Sequence, residues 1–483
     1  MKARPYLIAL VLIVLVAGLL VVFRTPSNDP AQQARETSPQ AAVEAGAGAG
    51  DAYYPTDGNS GYDVTLYDLA ITYDPGSQQL DGVATITATA TQDLSRFNLD
   101  LEALKVSEVK VGDQPAKFTQ EGDHELVITP AAPLAKDKPF TTKVTYGGKP
   151  TTINDASLGR SGWQVSSTGG AFAAGQPHSA TTWFPANDTP RDKAALKIAA
   201  RVPDGWTAVS NGLEGPVTRD GGWTTFNWSE ETPLATYVAT VAIDKFEIVR
   251  STLPSGTPVL DAYAPGTSAS KKPIQSQMPE VLAHLETRFG PYPQRAAGSI
   301  WVADQIGFSL ETQTRPIYAA WADLETLVHE NAHMWFGDSV SITNWADICL
   351  NECLASYSQW LWLEKEGTDL DQRYRDQVEQ RRERSSFWAP KLYDMGKGNE
   401  FRGVYDKGIL GMHALRKQVG DDVFFKGLQS WVSEHRDGNA TWPQFEEHFK
   451  KVSGQPLDAF FKAWFRDSGI PDDQYLLPVG VRR

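Results

Sequence analysis

A change in hydrophobic period near residue 247 constrains the fold of this 483-residue chain more than any other feature. From residue 59 to residue 247, apolar and polar side chains alternate, as in YDVTLYDLAITYD and GVATITATAT, and turn sequences such as DPGSQ and VGDQP separate the alternating runs. Alternation with a period of two is typical of strands that bury one face. We therefore expect an N-terminal antiparallel β domain over residues 59–247.

Beyond this border the apolar spacing is that of helices. The first example is MPEVLAHLETRFG, which ends at Gly290, and glycine commonly terminates helices. Similar spacing covers residues 322–337, 346–366, 402–419, 421–435, 440–452 and 455–467. The sequence thus predicts a mostly helical domain over residues 248–475, followed by a tail at 476–483.

The N-terminus predicts export. Lys2 and Arg4 precede 17 uncharged residues, 7–23, most of them apolar. This length exceeds the roughly 7–15 residues of a signal-peptide core and reaches the roughly 17–25 residues of a membrane-spanning helix. We expect residues 1–24 to be an uncleaved signal anchor or a cleaved signal peptide, which places the protein at the cell surface, held by the membrane, or makes it secreted. Residues 25–58, rich in Ala, Gly, Ser, Gln and Pro, are expected to form a flexible linker.

The charge balance and the cysteines exclude several classes of protein. The formal net charge of −14 argues against nucleic-acid partners. Cys349 and Cys353 are the only cysteines, too few for a disulfide framework or a cysteine-based zinc finger. Because they lie four apart on a predicted helix, their Cβ atoms are expected to point poorly for a disulfide. We expect them to be buried, small apolar side chains.

A metal-binding pattern lies in the segment LETLVHENAHMWFGD, which contains His329, Glu330 and His333. Histidines four apart lie on one side of a helix, so both imidazoles can reach one metal ion. Glu330 lies next to them and can take a proton from a metal-bound water. A surface helix with two solvated histidines is the competing interpretation of this segment.

A third ligand is predicted in the next helix. Glu352 follows His333 with 18 residues between them, enough for a helix end, a loop and the start of a second helix. Two histidines, one glutamate and an open position are typical of zinc metallopeptidases. One zinc ion held by His329, His333 and Glu352 is therefore expected. Asp347 and Asn351 are candidates to orient these ligands, although an aspartate is equally natural at a helix N-terminus.

These segments resemble the aminopeptidase N family of zinc metallopeptidases. The resemblance is carried by HENAHMWFGDSVS, WADICLNE, VYDKGILGMHALR, TTWFPANDTPRDKA and GFSLETQTRPIY. It covers about residues 60–475 and implies a thermolysin-like catalytic domain. We expect a short form that lacks the family's large C-terminal helical domain.

The resemblance implies a role for four side chains. Glu330 would be the general base, and Tyr405, in VYDKG, would stabilise the oxyanion. Glu311, in SLETQ, would bind the free α-ammonium group of the substrate, although Thr312 stands where the family has Asn. Gln176, nine residues before the proline of TTWFP, would also contact the amine. If both amine contacts hold, the site lies between the two domains.

The implied activity is that of a zinc aminopeptidase, which removes N-terminal residues from peptides by attack of a zinc-bound water. Its partners would be peptides with a free N-terminus. A zinc endopeptidase or another zinc hydrolase on the same scaffold, such as an epoxide hydrolase, would not need Glu311 as an amine anchor. A catalytically silent surface protein is the third alternative, although His329, Glu330, His333 and Glu352 are all present.

Overall fold

The alternating residues of the N-terminal half form long strands with one buried face. The computed structural model describes residues 43–155, 158–478 and 481, and in it Tyr62–Asp74 pairs antiparallel with Gln79–Ala90. Tyr67, Leu69 and Ile71 are buried while the residues between them are exposed. The two strands lie at the centre of an eight-stranded sheet. Its order is Leu213–Asp220, Trp223–Leu234, Ala194–Pro203, Tyr62–Asp74, Gln79–Ala90, Pro139–Gly148, Lys105–Val111 and Gln114–Pro115.

Two smaller sheets complete this half. A five-stranded sheet has the order Thr152–Asp155, Gly159–Val165, Ala171–Ala174, Val241–Asp244 and Thr207–Ser210. A four-stranded sheet has the order Val43–Glu44, Leu94–Asp100, Glu125–Thr129 and Lys117–Glu121. Two strand pairs in this half are parallel and the others described here are antiparallel. The predicted antiparallel β domain is confirmed with these two exceptions.

The C-terminal half is mostly helical, as predicted, and also contains a sheet. The sheet has the order Glu247–Thr252, Pro258–Tyr263, Ala297–Trp301 and Ile317–Tyr318, and it begins at the residue where the border was expected. A short ladder joins Ser341–Ile342 to Asn439–Ala440. The α-helices in the described part of the chain are α1 (Lys271–Gln275), α2 (Met278–Phe289), α3 (Leu324–Ala332), α4 (Cys349–Lys365), α5 (Leu370–Arg381), α6 (Ser385–Trp388), α7 (Lys407–Val419), α8 (Asp421–Glu434), α9 (Trp442–Ser453), α10 (Asp458–Phe461) and α11 (Asp473–Leu476).

The expected flexible linker is wrong for residues 43–58. Val43–Glu44 forms a strand beside Leu94–Asp100, and Tyr53 and Asp51 are each only 5% exposed. The Asp51 carboxylate accepts hydrogen bonds from the backbone N–H groups of Tyr53 and Trp345, both at 2.7 Å. This segment therefore packs against both halves of the protein. Val43–Glu44 pairs with a strand of the β half, and Asp51 accepts a hydrogen bond from Trp345 of the helical half.

The structure describes part of the predicted C-terminal tail but not the predicted N-terminal segment. The predicted anchor or signal at 1–24, and residues 25–42 of the linker, lie outside the described residues. Within the described residues, no helix combines the length and the apolar character that a membrane crossing requires. The start of the expected tail packs against α5, since Leu476 is buried and its carbonyl accepts a hydrogen bond from the Tyr374 hydroxyl at 2.5 Å.

Candidate metal centre and peptide cleft

The two histidines lie at the end of α3. Asp323 caps this helix, because its side chain accepts the Thr326 N–H at 2.9 Å and the Thr326 side chain reaches back to the Asp323 N–H. Such a capping box fixes where a helix begins. His329 lies in the last turn and His333 is the residue at which the helix ends. Both imidazoles therefore face the same side, as their spacing predicts.

The three predicted ligands converge. His329 Nε2 lies 3.1 Å from His333 Nε2 and 3.2 Å from Glu352 Oε2, and His333 Nε2 lies 3.5 Å from the same Oε2. Tetrahedral ligands of one zinc ion, each about 2.0–2.1 Å from it, lie about 3.3 Å apart. The donor set and its spacing therefore fit zinc.

The other imidazole nitrogens have partners of their own. His333 Nδ1 donates to the Phe336 carbonyl at 2.9 Å, and His329 Nδ1 lies 3.5 Å from Ser356 Oγ. Such contacts fix the ring orientation and leave Nε2 for a metal. Burial would raise the pKa of Glu352, but the adjacent imidazoles outweigh burial and lower it to about 2. Glu352 is therefore ionised, as a ligand must be.

Glu330 is buried beside this cluster, 5% exposed. Ligand atoms of Glu330, Glu311 and His333 all lie within 4.8 Å of one another. Burial raises the pKa of Glu330 well above its usual value; Glu311 adds to that rise and His333 opposes it. A divalent cation at the three ligands would favour the carboxylate form, in which Glu330 can accept a proton.

Glu311 and Gln176 come together from the two halves of the protein. Gln176 Nε2 donates to Glu311 Oε1 at 3.2 Å, and both side chains are buried. Gln176 follows a strand of the five-stranded sheet, whereas Glu311 follows the bridge between Leu310 and Ile317. The structure thus places a carboxylate and an amide together, next to the metal cluster.

A tyrosine that the sequence did not single out supports this pair. Burial, followed by the charge of Glu311, raises the pKa of Tyr237 well above its usual value. The Tyr237 hydroxyl accepts a hydrogen bond from the Asn351 side chain at 3.2 Å. Asn351 therefore contacts Tyr237 rather than one of the three predicted metal ligands. Asp347 has a different role, since it accepts the Trp442 N–H at 2.9 Å and helps to form the turn before α4. Nothing in the local sequence marks Tyr237 as part of a site.

Residues 310–317 are fastened to the β half. The Arg315 guanidinium donates to the carbonyls of Ser210 at 2.9 Å and Gly212 at 2.6 Å, and lies 4.9 Å from the Trp228 ring centroid. Arg315 is only 2% exposed. These contacts hold the backbone that carries Glu311 in place against the other half.

A cleft of about 570 Å³ connects these groups. Leu158 and Gln176 line it from the β half, and Ser356, Phe401 and Tyr405 line it from the helical half, together with the metal cluster. The ring centroid of Tyr405 lies 6.0 Å from that of His329. All seven predicted site residues therefore face one cavity, between the two halves as expected. Their individual roles stay predictions.

The expectation about the cysteines is wrong in one respect. Cys349 and Cys353 are both buried, as expected, but a disulfide joins them. Their Cα atoms lie 4.7 Å apart, inside the range that disulfides span, so adjacent turns of a helix come close enough. The bond encloses the first turn of α4, which carries Glu352.

Comparison with known families agrees with this geometry. The Peptidase M1 N-terminal domain matches residues 64–238, and the Peptidase family M1 domain matches residues 310–464. Together the two matches cover most of the β half and the whole metal centre. The chain belongs to the M1 family of peptidases.

Curated relatives carry aminopeptidase names. The chain is 26% identical to Aminopeptidase N of Streptomyces lividans over 59% of its own length and 37% of the relative's. It is 24% identical to Aminopeptidase M1-B of Oryza sativa subsp. japonica over 84% and 50%, and 24% identical to Probable aminopeptidase 2 of Sulfurisphaera tokodaii over 60% and 40%. The chain thus spans half or less of the length of these relatives.

Solved structures match over more of their length. The M1 zinc metallopeptidase from Deinococcus radiodurans is 28% identical, with a TM-score of 0.83 over 88% of this chain and 98% of that chain. A mutant of that metallopeptidase bound to the substrate Tyr-Ser-Ala matches at 27% identity and a TM-score of 0.82, over 88% and 99%. The two-part architecture is therefore that of M1 zinc metallopeptidases, and zinc is the metal that the family and the three ligands indicate.

Proposed function

We propose that this protein is a zinc aminopeptidase that removes the N-terminal residue from peptides. The observation that carries the proposal is the position of Glu311, whose carboxylate lies within 4.8 Å of ligand atoms of both Glu330 and His333. A buried carboxylate at that place can bind a substrate ammonium group and fix it one residue from the metal. A peptide can then be cleaved only after its first residue.

The side chains divide the work between them. When bound, zinc supplies Lewis-acid chemistry, polarising the scissile carbonyl and making water more acidic. Glu330 takes a proton from the attacking water and passes it to the leaving amine. Tyr405 donates a hydrogen bond to the oxygen on which charge develops. Glu311 and Gln176 hold the ammonium group, the first by charge and the second through its amide oxygen.

The proposal is tested with aminoacyl anilides and their N-acetylated counterparts. The protein should cleave only the free-amine forms. Glu311→Gln should lower kcat/KM for them by about 10- to 100-fold, the usual value of a hydrogen bond to a charged group. Glu383→Gln, an exposed glutamate outside the cleft, is the matched control and should behave like the wild type.

The alternatives give different results in the same assay. Equal cleavage of free and acetylated substrates would eliminate the role of Glu311 and favour an endopeptidase or another zinc hydrolase. No cleavage by protein shown to contain zinc would favour a catalytically silent protein.

We further propose that the chain is exported, either anchored in the membrane or secreted. Lys2 and Arg4 before the apolar residues 7–23 support export, and so does the Cys349–Cys353 disulfide, because such bonds persist mainly outside the cytosol. Cell fractionation and the mass of the mature N-terminus test this. Protein found only in the cytosol with its first 24 residues intact would refute it.

A further inference from the structure

One basic side chain lines the peptide cleft. Among the described residues of its wall, Glu311, Glu330 and Glu352 are acidic, and Arg402 is the one lysine or arginine. The protein as a whole has a formal charge of −14. An arginine that faces an acidic cleft in an acidic protein therefore calls for a physical explanation.

Arg402 is not used in an ion pair. Its guanidinium donates to the neutral side-chain oxygen of Asn399 at 3.0 Å, and within the described residues no carboxylate lies within ion-pair distance of it. Arg402 is exposed to solvent and lies at the edge between this cleft and a smaller cavity that Asn399 also lines, so its remaining N–H groups are free to bind a ligand at that edge of the cleft.

The position of Arg402 along the cleft follows from the proposed function. With the substrate ammonium on Glu311 and the scissile carbonyl beside Tyr405, the rest of the peptide extends away from Glu311. Arg402 lies three residues before Tyr405 and lines the same cleft. One or two residues beyond the scissile bond span at most about 7 Å, so the end of a dipeptide or tripeptide stays inside the cleft.

We propose that Arg402 is a specificity-determining residue that binds a substrate carboxylate on the leaving side of the scissile bond. The planar guanidinium matches a carboxylate with two parallel hydrogen bonds. The C-terminal carboxylate of a dipeptide or tripeptide, or an acidic side chain that follows the scissile bond, supplies this group. The protein therefore favours a peptide that carries a carboxylate just beyond the scissile bond over a peptide of the same size that carries a neutral group there. The inference rests on the proposed aminopeptidase activity.

Two pairs of substrates separate the two sources of the carboxylate. Leu-Ala is compared with Leu-Ala-amide, and Leu-Glu-amide with Leu-Gln-amide, by the ratio of kcat/KM within each pair. In the wild type the carboxylate form should be preferred by about 5-fold in at least one pair, the upper value for an exposed ion pair. Arg402→Gln should reduce that ratio to about 1, and Arg402→Lys, which keeps the charge but not the planar fork, should retain part of it.

The pair that shows the preference identifies the source: the first pair indicates a peptide C-terminus and the second an acidic side chain. Arg384→Gln, the same change at an exposed arginine outside the cleft, should leave both ratios unchanged. Ratios near 1 in the wild type, or ratios that survive Arg402→Gln, would overturn the inference while cleavage of leucyl anilide still upheld the aminopeptidase. If leucyl anilide and all four peptides resist cleavage, the proposed function fails first and the inference falls with it.

Discussion

The hydroxyl of Tyr405 offers the sharpest kinetic test of the candidate site. Tyr405→Phe removes one oxygen and keeps the ring, whose centroid lies 6.0 Å from the His329 ring. Partial burial in the cleft, followed by the charges of Glu352 and Glu311, raises the pKa of Tyr405 well above its usual value. The phenol therefore keeps its proton at neutral pH and can donate it in a hydrogen bond.

The expected fall in kcat follows from the hydrogen bond that the Tyr405 hydroxyl would donate to the oxyanion. Removing one oxyanion donor typically costs about 10²- to 10³-fold in kcat, or about 2.7–4 kcal/mol. Tyr405 as a residue is 40% exposed, so water can replace part of the lost interaction, and we expect a fall near the lower value. KM should change little, because the hydrogen bond strengthens only as charge develops.

Steady-state kinetics on leucyl anilide, with zinc content measured for each sample, provide the assay. Tyr475→Phe is the matched control, since Tyr475 lies on α11, outside the cleft wall. A rise in KM with kcat retained would remove Tyr405 from the oxyanion role. Loss of zinc from the variant would show that the hydroxyl supports the metal centre instead.

Three further predictions concern stability and metal binding. Asp51→Ala leaves the buried N–H of Trp345 without its acceptor and should lower the free energy of unfolding by about 2–4 kcal/mol in urea titrations; a change within error would mean that residues 43–58 add no stability. Burial raises the pKa of Asp261 to about 6 in the folded protein, so the folded state holds this proton more tightly than the unfolded state does. The free energy of unfolding that this adds below about pH 4 is lost as the pH rises to about 6. Wild-type protein should therefore lose up to about 3 kcal/mol relative to Asp261→Asn over that range, and parallel pH profiles would contradict this. Removing zinc with 1,10-phenanthroline should abolish peptidase activity and lower the melting temperature, and added zinc should restore both; activity that persists in metal-free protein would refute a catalytic metal.

Local patterns predicted most helices well. MPEVLAHLETRFG forms α2 and ends at Gly290, whose φ of 95° suits glycine. The helix expected over 440–452 is Trp442–Ser453, which begins at a capping box on Thr441. The helix Leu370–Arg381 was missed, because only Leu370, Tyr374 and Val378 are buried in an otherwise polar segment. Where one narrow stripe is apolar, the periodic signal is too weak to read from sequence.

The site residues likewise form two groups: those that a local sequence pattern predicts, and those that the fold brings together from distant parts of the chain. The spacing of His329 and His333 on one helix could be read directly, and Glu352 followed from the gap to the next helix. The hydrogen bond between Gln176 and Glu311 joins residues 135 positions apart. No local pattern predicts such a contact, so the sequence suggested these two residues only through the family resemblance. Tyr237 had no signal at all, because its contacts exist only in the folded chain.

The fastening of residues 310–317 has a consequence for attempts to recombine M1 enzymes. Arg315 bonds to backbone carbonyls of the β half, and Glu311 meets Gln176 from that same half. A chimera that joined this helical half to the β half of a relative would keep all three zinc ligands. It would keep the contact between Glu311 and the β half only if the donor half offered the same carbonyls and an amide at the position of Gln176. Such hybrids should thus lose their choice of the peptide end before they lose the ability to bind metal.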